Sequence, residues 1–184
     1  LYEGKTTGAP IAFIAHNQDA RTEDYAHLEK AFRPSHADFT TWAKYGIRDH
    51  RGGGRSSARE TWARVAGGAI ARQFLAPLGI EVSAYVERVH DTGMVSAPQF
   101  YNREAVDVHA VRCPDPTIAE AMANRILQAK KAGDTVGGTL VVVARGVPAG
   151  LGEPVFDKLQ ATLAHALWSL PAVKSMELGS GLQG

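Results

Sequence analysis

The chain has one cysteine, Cys113, in 184 residues, which excludes an internal disulfide framework and any metal site built on several thiolates. It has almost no net charge: 20 Lys and Arg stand against 19 Asp and Glu. No overall basic excess therefore points to nucleic acid or to an acidic membrane surface. Long apolar runs are missing too. The longest, 11–15 and 140–144, fall far short of the ~20 residues a membrane span needs. No signal-peptide or transit pattern, internal repeat, low-complexity tract or Pro/Ser-rich linker is recognisable. With 45% apolar and 21% charged residues, the composition excludes disorder, collagen and coiled coil. A single domain over 1–184 is expected, opening on Leu1-Tyr2-Glu3-Gly4-Lys5 like the interior of a longer protein.

Periodicity gives alternating elements. The apolar run at 10–15 reads as a buried strand, and Tyr25, Leu28 and Phe32 recur at helical spacing over 22–32. A second short helix is expected over 37–45, and three consecutive glycines keep 47–56 irregular. The clearest helix runs over 57–75. Ser57 and Glu60 form a capping box at its start, and Gly67-Gly68 inside it predicts close approach by another element. Strands are expected at 80–89, 106–111, 134–144 and 173–178, and helices at 117–131 and 154–170. This alternation fits an α/β or an α+β layered fold.

The informative stretch is 43–59, AKYGIRDHRGGGRSSAR. Lys44, Arg48, Arg51, Arg55 and Arg59 face one acid, Asp49, a net +4 in seventeen residues that leaves −3 for the rest of the chain. Glycines let backbone amides approach a ligand, the following helix N-terminus favours an anion, and guanidinium forks suit phosphate and carboxylate. An oxyanion cradle is one reading. A solvated basic loop paired with surface acids is another, and an Arg/Gly RNA-binding loop a third. Just upstream, His36 is a candidate proton donor, since imidazole titrates near neutral pH; the alternative is a capping or core histidine. No second ligand at helical spacing supports zinc. Cys113 lacks an adjacent base and reads as a plain loop thiol. The G-x-G-x-x-G match at 179–184 has no helix after it and is not assigned to a dinucleotide.

RPSHADFTTWAKYGIRDHRGGGRSSARET at 33–61 closely resembles the central signature of chorismate synthase. YEGKTTGAPI (2–11), KAGDTVGG (131–138), GLGEPVF (150–156) with Asp157-Lys158-Leu159, and PAVK (171–174) with Gly179-Ser180-Gly181 agree in the same order. The resemblance implies an α+β fold with a helical layer sandwiched between antiparallel β-sheets, of which this chain is the central part. It also implies a cytoplasmic homotetramer (in bacteria) that makes chorismate from 5-enolpyruvylshikimate 3-phosphate by 1,4-anti elimination of phosphate. The implied cofactor is reduced FMN, with NADPH as reductant in some members, and no metal, nucleic acid or membrane is involved. By the same resemblance His36 is catalytic, and Arg33, Ser57, Ala58 and Arg59 bind substrate. Arg55, Ser56, Ser57, Gln160 and Ala161 contact the flavin. Ser35, Gln160 and Leu182 depart from the family's usual Gly, shorter acid or amide, and aromatic. The family's N-terminal Gly-Glu-Ser-His-Gly motif and C-terminal flavin segments do not occur in these residues. A non-catalytic phosphate-binding or assembly fragment is the alternative.

Overall fold

The computed structural model of the chain describes residues 1–18 and 21–181. Leu182 and the end of the 179–184 glycine pattern lie outside the described residues. Antiparallel sheets and helices are mixed, an α+β architecture. The chain divides into two compact units, Leu1–Ala69 with Leu151–Gly184, and Ile70–Gly150.

The Ile70–Gly150 unit is built on a three-stranded sheet in the order β2-β1-β3, from β1 (Glu81–Val89), β2 (Thr92–Gly93) and β3 (Gly138–Arg145). β1 and β3 pair antiparallel from Glu81↔Arg145 to Val89↔Gly138, with an irregularity between Val86 and Arg88. Strand alternation puts Ser83, Tyr85 and Val89 on the buried face. Against it lies helix α4 (Pro116–Lys131), whose N-cap Asp115 accepts hydrogen bonds from the amides of Thr117 and Ile118. Val89, Cys113, Ala119 and Met122 form the core there, with Ala119 and Met122 fully buried. On the opposite face Leu140 and Val142 are each more than half exposed.

The expected strand at 106–111 is instead the end of a short helix, α3 (Arg103–Asp107), followed by a turn. The reason is local. Asn102 caps the amide of Ala105, and Arg103 pairs with Asp107 one turn on.

In the other unit, helix α1 (Asp38–Tyr45) matches its expected place, and 22–28 forms a 3₁₀ rather than an α-helix. The helix expected from 57 begins as a 3₁₀ turn at Ala58–Glu60 and becomes α2 (Thr61–Leu75), which runs across the boundary between the units. The expected capping box does not form, because neither the Glu60 amide nor its carboxylate makes the reciprocal bonds. Ser57 Oγ accepts from the Arg59 amide, while Glu60 turns outward to pair with Arg55. The expected helix at 154–170 starts late. A small hairpin of β4 (Gly152–Glu153) and β5 (Asp157–Lys158) precedes α5 (Leu159–Trp168). The runs at 10–15 and 173–178 form no strand, because no ladder partner meets them among the described residues. Gly67 and Gly68 face open space, not a neighbouring element.

Candidate active site

The site is built from two loops of the Leu1–Ala69 unit, the one before α1 and the glycine turn before α2. The 3₁₀ segment ends at Leu28, and the chain runs irregularly from there to Arg33-Pro34. Ser35 then takes a left-handed φ of 57°, which favours the glycine usual in the resembled signature. That turn brings His36 back over the start of α1. The first amide of the helix, that of Asp38, donates to His36 Nδ1 at 3.1 Å, filling one of the donors a helix start leaves open. Nδ1 is therefore an acceptor and the neutral ring carries its proton on Nε2.

Asp38, only 2% exposed, anchors this loop. Its Oδ2 accepts from the Arg33 backbone amide and from Arg33 Nε, both at 3.3 Å, and Oδ1 accepts from the Phe39 amide at 3.1 Å. Arg48 Nη1 lies 3.7 Å from the same carboxylate. Burial alone would raise the pKa of this carboxyl. The hydrogen bonds from Arg33, with the His36 and Arg33 charges, outweigh it and hold the group below the usual aspartate value. Arg48 is pinned by donating to the carbonyls of Leu28, Glu29 and Ala31, and its guanidinium stacks over Phe32 at 4.6 Å.

The glycine turn closes the site from the other side. Gly52 and Gly53 are buried with φ of 114° and 86°. A Cβ on Gly53 would lie 3.0 Å from Arg33 Nη2 and 3.3 Å from His36 Cε1, and one on Gly52 would strike Arg59 Nη2. Arg59 Nη2 donates to the Gly52 carbonyl at 2.9 Å, and its Nε to Ser57 Oγ at 3.1 Å. Arg33, His36 and Arg59 thus converge on two glycines whose lack of side chains makes the approach possible.

The basic stretch sorts into two groups. Arg51 and Arg55 point outward to Asp49 and Glu60, Arg55 being 93% exposed, which is the solvated-loop arrangement. Arg48 turns inward behind Asp38, and Arg59, though exposed, folds back onto the Gly52 carbonyl. Two buried guanidinium nitrogens, Arg33 Nη2 and Arg48 Nη1, have no hydrogen-bond partner. Arg48 Nη1 already faces the Asp38 carboxylate, whereas Arg33 Nη2, beside Gly53, is a buried donor left open, and such a donor fits an anionic ligand. Ser56 Oγ sits 2.9 Å from Thr41 Oγ1, tying the glycine turn to α1, and Ala58 is exposed. Gln160 and Ala161 occupy the first turn of α5, Gln160 beside a cleft of about 240 Å³ formed with the β4–β5 hairpin. That cleft is lined by residues 151–154 and 158–160, so it is separate from the convergence of Arg33, His36 and Arg59. Asp38 and Thr41 escaped sequence reasoning. An aspartate at a helix start reads as a dipole or capping residue, and only the fold shows what its carboxylate holds.

The resemblance noted from these loops extends to the whole chain. A model of the chorismate synthase family, described as chorismate synthase, matches residues 1–184.

The chain belongs to the chorismate synthase family.

It is 53% identical to the chorismate synthase of Opitutus terrae over 185 residues, covering 100% of this chain and 51% of that protein. With that of Bacteroides fragilis it shares 49% over 184 residues, covering 100% of this chain and 51% of the relative. A solved structure described as a crystal structure of chorismate synthase superposes with a TM-score of 0.70 at 31% identity, over 80% of this chain and 48% of the other. The chain therefore spans about half the length of the chorismate synthases it matches. No helix among the described residues is long and apolar enough to cross a membrane, and no cluster of His, Cys, Asp or Glu among them could hold a metal ion.

Proposed function

We propose that the protein carrying this chain is a chorismate synthase, a lyase of aromatic amino-acid biosynthesis that eliminates phosphate from 5-enolpyruvylshikimate 3-phosphate in a 1,4-anti sense. The observation that carries the reading is the convergence of Arg33, His36 and Arg59 on Gly52-Gly53, with Arg33 Nη2 buried and unpartnered. The substrate bears a phosphate and two carboxylates. Several guanidinium groups held by the protein's own hydrogen bonds offset that charge without reorganising during the reaction. In this reading Arg33 and Arg59 grip the substrate anions, with Ser57 fixing the Arg59 fork and Ser57 and Ala58 lining the same turn. His36 presents Nε2–H as a proton donor.

The open Arg33 donor and the glycine turn also suit a phosphorylated, anionic cofactor. Arg55, Ser56 and Ser57, with Gln160 and Ala161, would hold reduced FMN. When bound, that cofactor lends electron density to the ring as phosphate departs, and NADPH is its reductant in some members of the family. The reading further includes a single chorismate synthase domain, a cytoplasmic homotetramer, and no nucleic-acid or membrane partner.

The full-length protein is expected to form chorismate from the phosphorylated substrate when reduced FMN is supplied. No product from folded, flavin-loaded protein overturns the proposal. Arg59→Ala is expected to weaken substrate binding much more than flavin binding in parallel titrations, and equal losses contradict its role. His36→Ala should fold normally yet lose turnover by roughly 100-fold or more, measured by steady-state kinetics beside a melting curve.

A further inference from the structure

Among the described residues, one buried carboxylate serves three candidate site groups at once. Asp38 meets the imidazole of His36 with two of its own groups, and both reach Nδ1. Its backbone N–H donates to that nitrogen at 3.1 Å, and its Oδ1 lies 3.4 Å from it. The N–H suits the neutral ring, in which Nδ1 accepts. The carboxylate suits the protonated ring, in which Nδ1 becomes a donor. The remaining oxygen, Oδ2, holds the Arg33 guanidinium and its backbone, with Arg48 3.7 Å away.

We propose that Asp38 is a positioning residue of this site, keeping His36 in one orientation in either protonation state while its second oxygen fixes Arg33 against Gly53. It rests on the reading above, in which His36 and Arg33 act on substrate and cofactor. On its own loop the imidazole has Asp38 beside Nδ1 and Arg33 sharing its approach to Gly53; on the glycine turn Arg59 stands against Gly52 and Asp49 against Gly54, and Arg48 lies behind the Asp38 carboxylate. Asp38 Oδ1 lies 3.4 Å from Nδ1, whereas Asp49 flanks Gly54, so Asp38 is the carboxylate that faces the ring. An Asn at 38 keeps the size and the backbone N–H. It brings no charge, and its amide sets an N–H₂ donor against donors on one side.

The test uses the full-length protein with isotope-labelled histidine. In the wild type, nitrogen NMR is expected to show neutral His36 as the Nε2–H tautomer. In Asp38→Asn the His36 titration midpoint should fall below that of the wild type, because the carboxylate facing Nδ1 is gone. Catalytic efficiency, kcat/KM, should drop on the order of 10- to 100-fold through lost orientation. Asp38→Glu, which keeps the charge, should restore the midpoint. An unmoved midpoint in folded Asp38→Asn, or an Nδ1–H tautomer in the wild type, overturns the proposal. The tautomer measurement needs no variant and stands if Asp38→Asn does not fold. Both NMR readouts are independent of turnover, so a wild type that makes no chorismate refutes the enzymatic reading without settling what Asp38 does.

Discussion

At the scale of single residues, charge and backbone freedom are arranged so that each supports the other. Gly53 has a φ of 86°, and a Cβ there would crowd Arg33 Nη2 at 3.0 Å and His36 Cε1 at 3.3 Å. Gly53→Ala would place a side chain in a left-handed conformation that costs roughly 1–2 kcal/mol, and would also push the two groups apart. Denaturant titration should show that loss of stability, with a still larger proportional loss of substrate affinity. An unchanged affinity would mean that the convergence on Gly53 is incidental. Arg55 illustrates the opposite case. It sits in the same basic stretch but pairs with Glu60 almost fully in solvent, where an ion pair contributes little. Its proposed flavin role therefore depends on contacts that this exposed pair does not supply.

At the scale of elements, a helix is only as constrained as what packs on it. Gly67 and Gly68 lie in the exposed interior of α2, where an added Cβ would meet nothing within 4 Å. Glycine is less favourable than alanine there by about 0.8–1 kcal/mol per residue. Gly67→Ala and Gly68→Ala are accordingly expected to raise the melting temperature of this 184-residue chain. In the full-length protein the same changes report on whether another segment covers that face, since a destabilisation there would reveal the close approach that paired glycines usually mark. α5 is tied differently: Arg64 on α2 donates to the hydroxyl and the carbonyl of Ser169 at its C-terminal end, both at 2.9 Å. That cation at a helix C-terminus satisfies acceptors the helix leaves open.

At the scale of the whole molecule, order follows ladders and burial. The β1–β3 ladder runs through eight paired positions over a core that includes fully buried Met122 and Ala119, whereas the segments at 10–15 and 173–178 enter no ladder among the described residues. Amide hydrogen exchange on this chain is expected to be slowest in Ser83, Tyr85, Val141 and Val143 and fast throughout 10–15. Equal protection would show that the N-terminal run finds a partner in solution. Leu140 and Val142, on the other face of the same sheet, are apolar side chains left more than half exposed.

The positions of α1, α4, β1 and β3 were legible in the sequence because their evidence is local: capping residues, alternation, and glycines that end elements. The density of arginine around three glycines was equally legible, as was the family, since residue order along 33–61 carries both. Which arginines face inward was not, because Arg48 and Arg55 have the same chemistry and differ only in what the fold sets beside them. The strands expected at 10–15 and 173–178 failed for the same reason, since an apolar run becomes a strand only where another edge completes its hydrogen bonds. Sequence alone determined which charged and hydrogen-bonding groups this protein has. Tertiary structure decided that Arg33, His36 and Arg59 meet over Gly52-Gly53 and that Asp38 holds two of them in place, because buried contacts between distant residues exist only once the chain has closed on itself.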